Sequence, residues 1–277
     1  MIWLVLIVLG AIFGSFVNAL VWRLSLQSNS STQKRVKSRS SKDTSIVRGR
    51  SMCSSCGHQL SAKDLMPVIS WVLLKGRCRY CREKIADTPL PELLLPVLFV
   101  VSYAFWPYEL DNPLLIAVFV VWLAVLVTMT ALLTYDLRWM LLPDRLVAVL
   151  TGLAIVQVLL LALEQDLSII LPALFAGVAL SGLFYVMHQL SDGKWIGGGD
   201  VKIGFSLGVL SLGPMQMVGL LFLASAFGLV FSLPQLIRSK LKMTSKIPFG
   251  PFLIIATITS VIFGDAMINW YINLFLW

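Results

Sequence analysis

The sequence predicts an all-α polytopic membrane protein with about eight transmembrane helices and a small cytoplasmic domain between the first and second helices. Of the 277 residues, 58% are hydrophobic and only 13% are charged, whereas about a quarter of the residues in a soluble domain carry charge. The hydrophobic residues also form long blocks that approach the roughly 20 residues a bilayer-spanning helix needs. This composition excludes a soluble enzyme.

Eight apolar blocks give the approximate positions of the transmembrane spans. The first covers residues 1–24, with its apolar run beginning at Ile2. Because no base precedes this run and no A-x-A cleavage pattern follows it, we interpret it as an uncleaved helix and not as a secretory signal peptide. The later spans are predicted at about 90–106, 113–135, 146–163, 168–190, 201–212, 215–237 and 248–271. The sixth of these is short.

The positions of the charged residues predict the orientation in the membrane. The net charge is +8, and 14 of the 22 Lys and Arg residues lie between Arg23 and Lys84, which is typical of a cytoplasmic segment. This segment lacks interleaved aromatic residues, so nucleic-acid binding is not predicted. With eight spans, every later base also falls in a cytoplasmic loop: Arg138, Arg145, Lys194, Lys202, Arg238, Lys240, Lys242 and Lys246. The opposite loops carry Glu109, Asp111, Glu164 and Asp166 and no base.

Four cysteines follow a Ser-, Lys- and Arg-rich stretch, residues 25–49, that is predicted to be a flexible linker. They form two C-x-x-C pairs, Cys53 with Cys56 and Cys78 with Cys81, separated by 21 residues. Two such pairs present four thiolates to one tetrahedral ion, normally zinc. We therefore predict a structural zinc in a domain of residues 50–88. A reducing cytoplasm disfavours disulfides, and so short a domain cannot bury enough core to fold without a cross-link such as a metal. Two disulfides or two redox pairs are the alternative.

Carboxylates at the ends of apolar spans are the first candidates for catalysis, since they are costly within a membrane. Asp136 follows the third span, Asp144 begins the fourth, and Asp200 follows three glycines at the start of the sixth. Asp136 and Asp200 are expected at similar depth near the cytoplasmic face. An adjacent pair of carboxylates can share a proton, activate water and polarise a peptide carbonyl, as in aspartic proteases. For Asp144, helix capping is an equal alternative.

These motifs, in this order, resemble the type IV prepilin peptidase family. The segment Gly14-Ser15-Phe16-Val17-Asn18, with Arg23, is similar to the opening motif of the family. The cysteine segment is similar to its zinc-binding domain and is followed by Pro89-x-x-Glu92. Three later segments are similar to its two aspartate motifs and its last motif, namely DLRWMLLPD at 136–144, GGGDVK at 197–202 and IPFGPFL at 247–253. The resemblance covers most of the chain.

The resemblance implies that residues 89–277 form a seven-helix membrane catalytic domain with Asp136 and Asp200 as catalytic aspartates. It implies a prepilin or pseudopilin substrate, cleaved after a glycine at the cytoplasmic face of the inner membrane. It also implies methylation of the new N-terminus from S-adenosylmethionine. The sequence does not locate the methyl donor, because it contains no glycine-rich motif of the Rossmann kind. Residues 85–88, Ile-Ala-Asp-Thr, depart from the usual residues of the family.

Two other functions stay open from the sequence. A membrane thiol redox protein would use the C-x-x-C pairs for exchange and hold no metal. A non-enzymatic assembly or transport scaffold would use its aspartates only as helix caps or along an ion path. The separation of the Asp136 and Asp200 carboxyl groups is the most informative observation, because a shared water requires them within a few ångströms of each other.

Overall fold

A computed structural model of the protein describes residues 1–28, 52–53, 56–85, 88–237 and 248–275. Several features named above lie outside the described residues: linker residues 29–49, Ala86, Asp87, Arg238, Lys240, Lys242, Lys246 and Ile247. The chain divides into two compact units, Met1–Tyr103 and Ala104–Trp277. The domain boundaries predicted at residues 25, 50 and 89 stay predictions.

The described residues are largely helical. The α-helices are α1 Ile2–Ser28, α2 Ile69–Leu73, α3 Leu90–Ala104, α4 Pro113–Trp139, α5 Asp144–Glu164, α6 Ile170–Leu190, α7 Gly198–Leu210, α8 Pro214–Ile237 and α9 Gly250–Phe275. Short 3-10 turns lie at Ala62–Leu65 and Leu167–Ile169. In the part of the chain that the structure describes, β-type pairing is limited to two isolated bridges, Met52 with Gln59 and Arg77 with Lys84. The all-α prediction is confirmed.

Each of the eight predicted spans coincides with one of these helices, α1 or α3 to α9. Five are long and apolar enough to cross a membrane, over Ile2–Ser25, Pro113–Trp139, Asp144–Glu164, Leu167–Leu190 and Pro214–Pro234. Leu90–Ala104 and Gly250–Gly264 are shorter apolar helices. The chain is therefore a multi-pass membrane protein. The sixth predicted span is short, as expected: the 13 residues of α7 cover about 20 Å of the roughly 30 Å hydrocarbon layer.

In the first unit, α1 and α3 cross at two glycines. A Cβ atom on Gly10 would lie 2.6 Å from the Cα of Pro96, and one on Gly14 would lie 2.5 Å from the Cα of Glu92. Neither position has room for a larger side chain. Small residues four positions apart are a common device for close helix packing in membranes, and here they bring the backbone of α1 against the first turns of α3.

In the second unit, α4 and α7 each contain a continuous buried stretch. Every residue of α4 from Thr128 to Asp136 is buried, as is every residue of α7 from Ser206 to Leu210. The short helix α7 packs against α5, α6 and α9, and a Cβ atom on Gly208 would lie 2.5 Å from the carbonyl oxygen of Ala176 in α6. Packing on three sides compensates for the small number of hydrogen bonds in so short a helix.

Candidate active site

Asp136 lies in the last turn of α4. The helix ends because Met140 adopts a left-handed conformation, with φ 52°, and donates its N–H to the carbonyl oxygen of Asp136 at 2.8 Å. Although it is only one turn from the end of the helix, Asp136 is 5% exposed. Its carboxylate therefore points into the protein interior and not into solvent.

Asp200 lies in the first turn of α7. This helix begins at Gly198, three residues before the predicted span, so two of the three glycines are helical and Gly197 occupies the N-cap position. The N–H of Asp200 donates to the carbonyl oxygen of Gly197 at 3.1 Å. A carboxylate in the first turn interacts favourably with the positive end of the helix dipole. Asp200 is 9% exposed.

Gly250, the first residue of α9, is where these two carboxylates meet. A Cβ atom on Gly250 would lie 2.7 Å from Oδ2 of Asp136 and 3.3 Å from Oδ1 of Asp200. The two oxygens are therefore no further apart than the sum of those distances. The structure thus brings the two side chains of the predicted pair to the same glycine. The catalytic role of the pair stays a prediction.

Gly250 itself was not singled out from the sequence, where it appeared only as one letter of the IPFGPFL segment. A glycine that lies between two Pro-Phe dipeptides gives no local indication of which side chains it faces. Only the convergence of α4, α7 and α9 shows that its missing side chain makes space for both carboxylates.

The helix α6 contacts the segments that carry Asp200 and Gly250. Nδ1 of His188 lies 2.8 Å from the carbonyl oxygen of Ile196, so that nitrogen carries a proton and donates it. The hydroxyl of Ser181 donates to the carbonyl oxygen of Val201 at 2.9 Å. The ring of Phe184 packs edge-on against Phe249, with centroids 6.2 Å apart. Through these contacts, α6 positions the residues on both sides of Asp200 and the residue before Gly250.

Asp144 does not join the pair. It is the first residue of α5, after Pro143 in the N-cap position, and its side chain is 74% exposed. Its Oδ1 forms an ion pair with Nζ of Lys202 at 2.6 Å. An exposed ion pair contributes little stability, and the exposed carboxylate of Asp144 lacks the burial that Asp136 and Asp200 share. The geometry favours a helix-start role for Asp144 over catalysis.

The four cysteines form a single cluster. The Sγ atoms of Cys53, Cys56, Cys78 and Cys81 all lie within 4.8 Å of one another, and the group could hold a metal ion. Each pair makes the same turn, because Gly57 donates to the carbonyl of Cys53 at 2.9 Å and Arg82 donates to that of Cys78 at 3.0 Å. Four thiolates at these separations match the ligand set of a tetrahedral zinc site.

The residue after the second cysteine differs between the two turns, and this difference gives a prediction. Gly57 has φ 69° and Arg82 has φ 56°, a region that costs a residue with a Cβ atom about 1 kcal/mol relative to glycine. We expect Arg82→Gly to strengthen metal retention roughly fivefold and Gly57→Ala to weaken it by a similar factor, measured by chelator competition with added zinc. Equal retention in both variants would contradict this assignment of the turns.

Two family descriptions match the chain. The Bacterial Peptidase A24 N-terminal domain matches residues 8–106, and the Type IV leader peptidase family matches residues 123–233. The protein of Aeromonas salmonicida named prepilin leader peptidase/N-methyltransferase is 31% identical over 274 residues, which are 95% of this chain and 91% of that protein. The chain belongs to the type IV leader peptidase family. The family resemblance predicted from the motifs is confirmed.

Two further relatives within the family also match over most of their length. A protein of Escherichia coli named type 4 prepilin-like proteins leader peptide-processing enzyme is 30% identical over 266 residues, 91% of this chain and 90% of that protein. A Bacillus subtilis prepilin leader peptidase/N-methyltransferase is 26% identical over 233 residues, 84% and 89% of the two chains. No solved structure matches the chain.

Proposed function

We propose that the chain is an intramembrane aspartic endopeptidase that removes the basic leader of type IV prepilins or pseudopilins after a glycine, and that also methylates the new N-terminus. The observation that carries the peptidase is the approach of Asp136 and Asp200 to the same glycine, Gly250. The substrate class and the methylation come from the names of the relatives in the family.

In this mechanism the ionised carboxylate of the pair removes a proton from a water held between them. The protonated carboxylate donates to the scissile carbonyl oxygen, so that water attack gives a tetrahedral intermediate. The carbon–nitrogen bond then breaks as the leaving nitrogen takes up a proton from the pair. The burial of both carboxylates excludes bulk water and strengthens these interactions. Because Gly250 has no side chain, there is space beside the pair in which the water and the peptide carbonyl are bound.

The four cysteines hold a structural zinc in this proposal. Full thiolate ligation leaves no open coordination position, so the metal stabilises the fold of the segment around it and takes no part in hydrolysis. The convergence of all four Sγ atoms favours one shared metal over two independent redox pairs. The approach of two buried carboxylates to one glycine likewise favours an enzyme over a scaffold, since helix caps at exposed ends need no such approach.

We place the aspartate pair and the cysteine segment on the cytoplasmic side of the inner membrane. The support is the distribution of bases, which with eight spans all fall in loops or at span ends on that side. A substrate whose basic leader stays in the cytoplasm and whose apolar helix lies in the bilayer presents its cleavage site at this depth. S-adenosylmethionine supplies the methyl group when it is bound.

The proposal is tested by the mass of the product. The purified full chain in lipid vesicles, loaded with zinc, is incubated with a peptide that has a basic leader, a glycine and an apolar helix. We expect the new N-terminus to begin directly after the glycine, and its mass to increase by one methyl group only when S-adenosylmethionine is added. An intact substrate, with a protein that retains its helicity and its zinc, would refute the proposal.

A further inference from the structure

The segment of residues 191–196, here called the return loop, joins α6 to the glycines before Asp200. It turns at Gly193, which adopts a left-handed conformation with φ 71° and donates its N–H to the carbonyl oxygen of His188 at 2.9 Å. Ile196, at the other end of the return loop, is 7% exposed. The return loop therefore folds onto the last turn of α6 before the chain enters α7.

The imidazole ring of His188 lies on the inner side of this turn. Its Nδ1 donates to the carbonyl oxygen of Ile196 at 2.8 Å, since a carbonyl oxygen can only accept. A Cβ atom on Gly193 would lie 3.0 Å from Cε1 of the ring, and one on Gly198 would lie 3.9 Å from the same atom. One side chain of α6 thus lies against the middle and the end of the return loop and beside the first residue of α7.

The three glycines before Asp200 do not fix the position of its carboxylate by themselves, because residues without side chains have wide conformational freedom. The carbonyl group of Ile196 and the N–H of Gly197 belong to one planar peptide group, which the hydrogen bond from His188 orients. Gly197 is the N-cap residue of α7, and its carbonyl oxygen accepts from the N–H of Asp200 at 3.1 Å. A shift of the Ile196 peptide group would therefore move the first turn of α7.

We infer that His188 is a positioning residue for catalysis, which keeps Asp200 beside Asp136 by donating a hydrogen bond to the peptide group before the three glycines. The inference rests on the proposed function and adds a residue from α6 to a site whose carboxylates come from α4 and α7. In this role His188 acts through Asp200 and takes no part in proton transfer.

Packing and hydrogen bonding by His188 can be separated by substitution. Leucine fills most of the volume of the imidazole ring and has no donor. Asparagine is smaller, but its Nδ2 is as many bonds from the backbone as Nδ1 of histidine and can donate to the same carbonyl oxygen. The nitrogen of glutamine is one bond further away. If the hydrogen bond matters more than the volume, asparagine should replace His188 better than leucine does.

The test measures leader cleavage by the zinc-loaded full chain in lipid vesicles over a range of concentrations of the prepilin-like peptide. We expect His188→Leu to lower kcat by at least about tenfold with KM nearly unchanged, because a displaced catalytic carboxylate slows the chemical step. His188→Asn should recover most of this loss, and His188→Gln less of it. Wild-type kcat in His188→Leu, or a higher kcat in His188→Leu than in His188→Asn, would overturn the inference.

Thr151→Val is the matched control, because it removes a hydrogen bond of α7 that is remote from Asp200. Oγ1 of Thr151 lies 2.7 Å from Oγ of Ser206, which follows Asp200 by six residues. The loss of either hydrogen bond should lower Tm, but Thr151→Val should keep the kcat of wild type. A kcat as low in Thr151→Val as in His188→Leu would assign the effect to general destabilisation and overturn the inference.

Hydrogen exchange at the backbone amides of residues 197–202 separates this inference from the proposed function, because it requires no cleavage. We expect faster exchange in His188→Leu than in wild type, and nearly wild-type exchange in His188→Asn. Equal exchange in all three proteins would overturn the inference even where the wild-type protein cleaves. The expected exchange pattern in a wild-type protein that does not cleave would refute the proposed function, and with it the catalytic role of His188, but not its hold on the first turn of α7.

Discussion

Replacing either Asp136 or Asp200 by asparagine should lower kcat for leader cleavage by at least about 10³-fold, the loss typical when one member of a catalytic unit is removed. Asparagine has nearly the same size and retains hydrogen bonding, but it neither accepts a proton from water nor passes one to the leaving nitrogen. Substrate binding should change little, so the effect belongs to kcat and not to KM. Single-turnover cleavage of the prepilin-like peptide in vesicles measures it.

The effects of the two substitutions on the cleavage rate should not be additive. Both carboxylates act on one water, so that the loss of either one already stops their joint action. The double variant should therefore be no slower than either single variant. Asp144→Asn is the matched control, because that carboxylate is 74% exposed and paired with Lys202; its cleavage rate should stay within a few-fold of wild type. Wild-type rates in either Asp136→Asn or Asp200→Asn would rule out the shared-water mechanism.

The features that were predictable from the sequence are those that depend on composition and local spacing. A helix in a bilayer must be apolar along its whole length, so each predicted span coincides with a helix even where the ends differ. The cysteine cluster was predictable because two C-x-x-C pairs leave few other geometries for four thiolates. The similar depth of Asp136 and Asp200 was predictable, because the charged loops fixed the side on which each helix ends.

The features that were not predictable depend on which helices are neighbours. A short sixth span was predicted, but not that α5, α6 and α9 would pack around the 13 residues of α7. Nδ2 of Asn18 donates to Thr88 and Glu92, 70 and 74 residues away in the chain, and these contacts could not be predicted from the sequence around Asn18. The role of Gly250 could not be predicted for the same reason, because it depends on α4, α7 and α9 being neighbours.

Gly250→Ala should inactivate the peptidase by about 10²-fold or more, although it adds a single methyl group. That group would lie 2.7 Å from Oδ2 of Asp136, closer than unbonded carbon and oxygen atoms approach, and 3.3 Å from Oδ1 of Asp200. Either the carboxylates move apart or the methyl group fills the space of the water. A displacement near 1 Å in a catalytic group costs rates of this order. The rate of leader cleavage at saturating substrate measures the effect.

The control for this substitution uses glycines with free space around them. Among the described residues, no atom outside the helix lies within 4 Å of a Cβ atom placed on Gly152 or Gly219. Both belong to membrane helices, so Gly152→Ala and Gly219→Ala should leave cleavage unchanged. Both should be slightly more stable, because alanine loses less backbone entropy on folding. If Gly250→Ala cleaves like these two, the space beside the aspartates is not where the water and the peptide bond are held. Inactivation by Gly250→Ala, with its helicity and zinc content retained, would tie the chemistry to that space, because the substitution removes neither carboxylate.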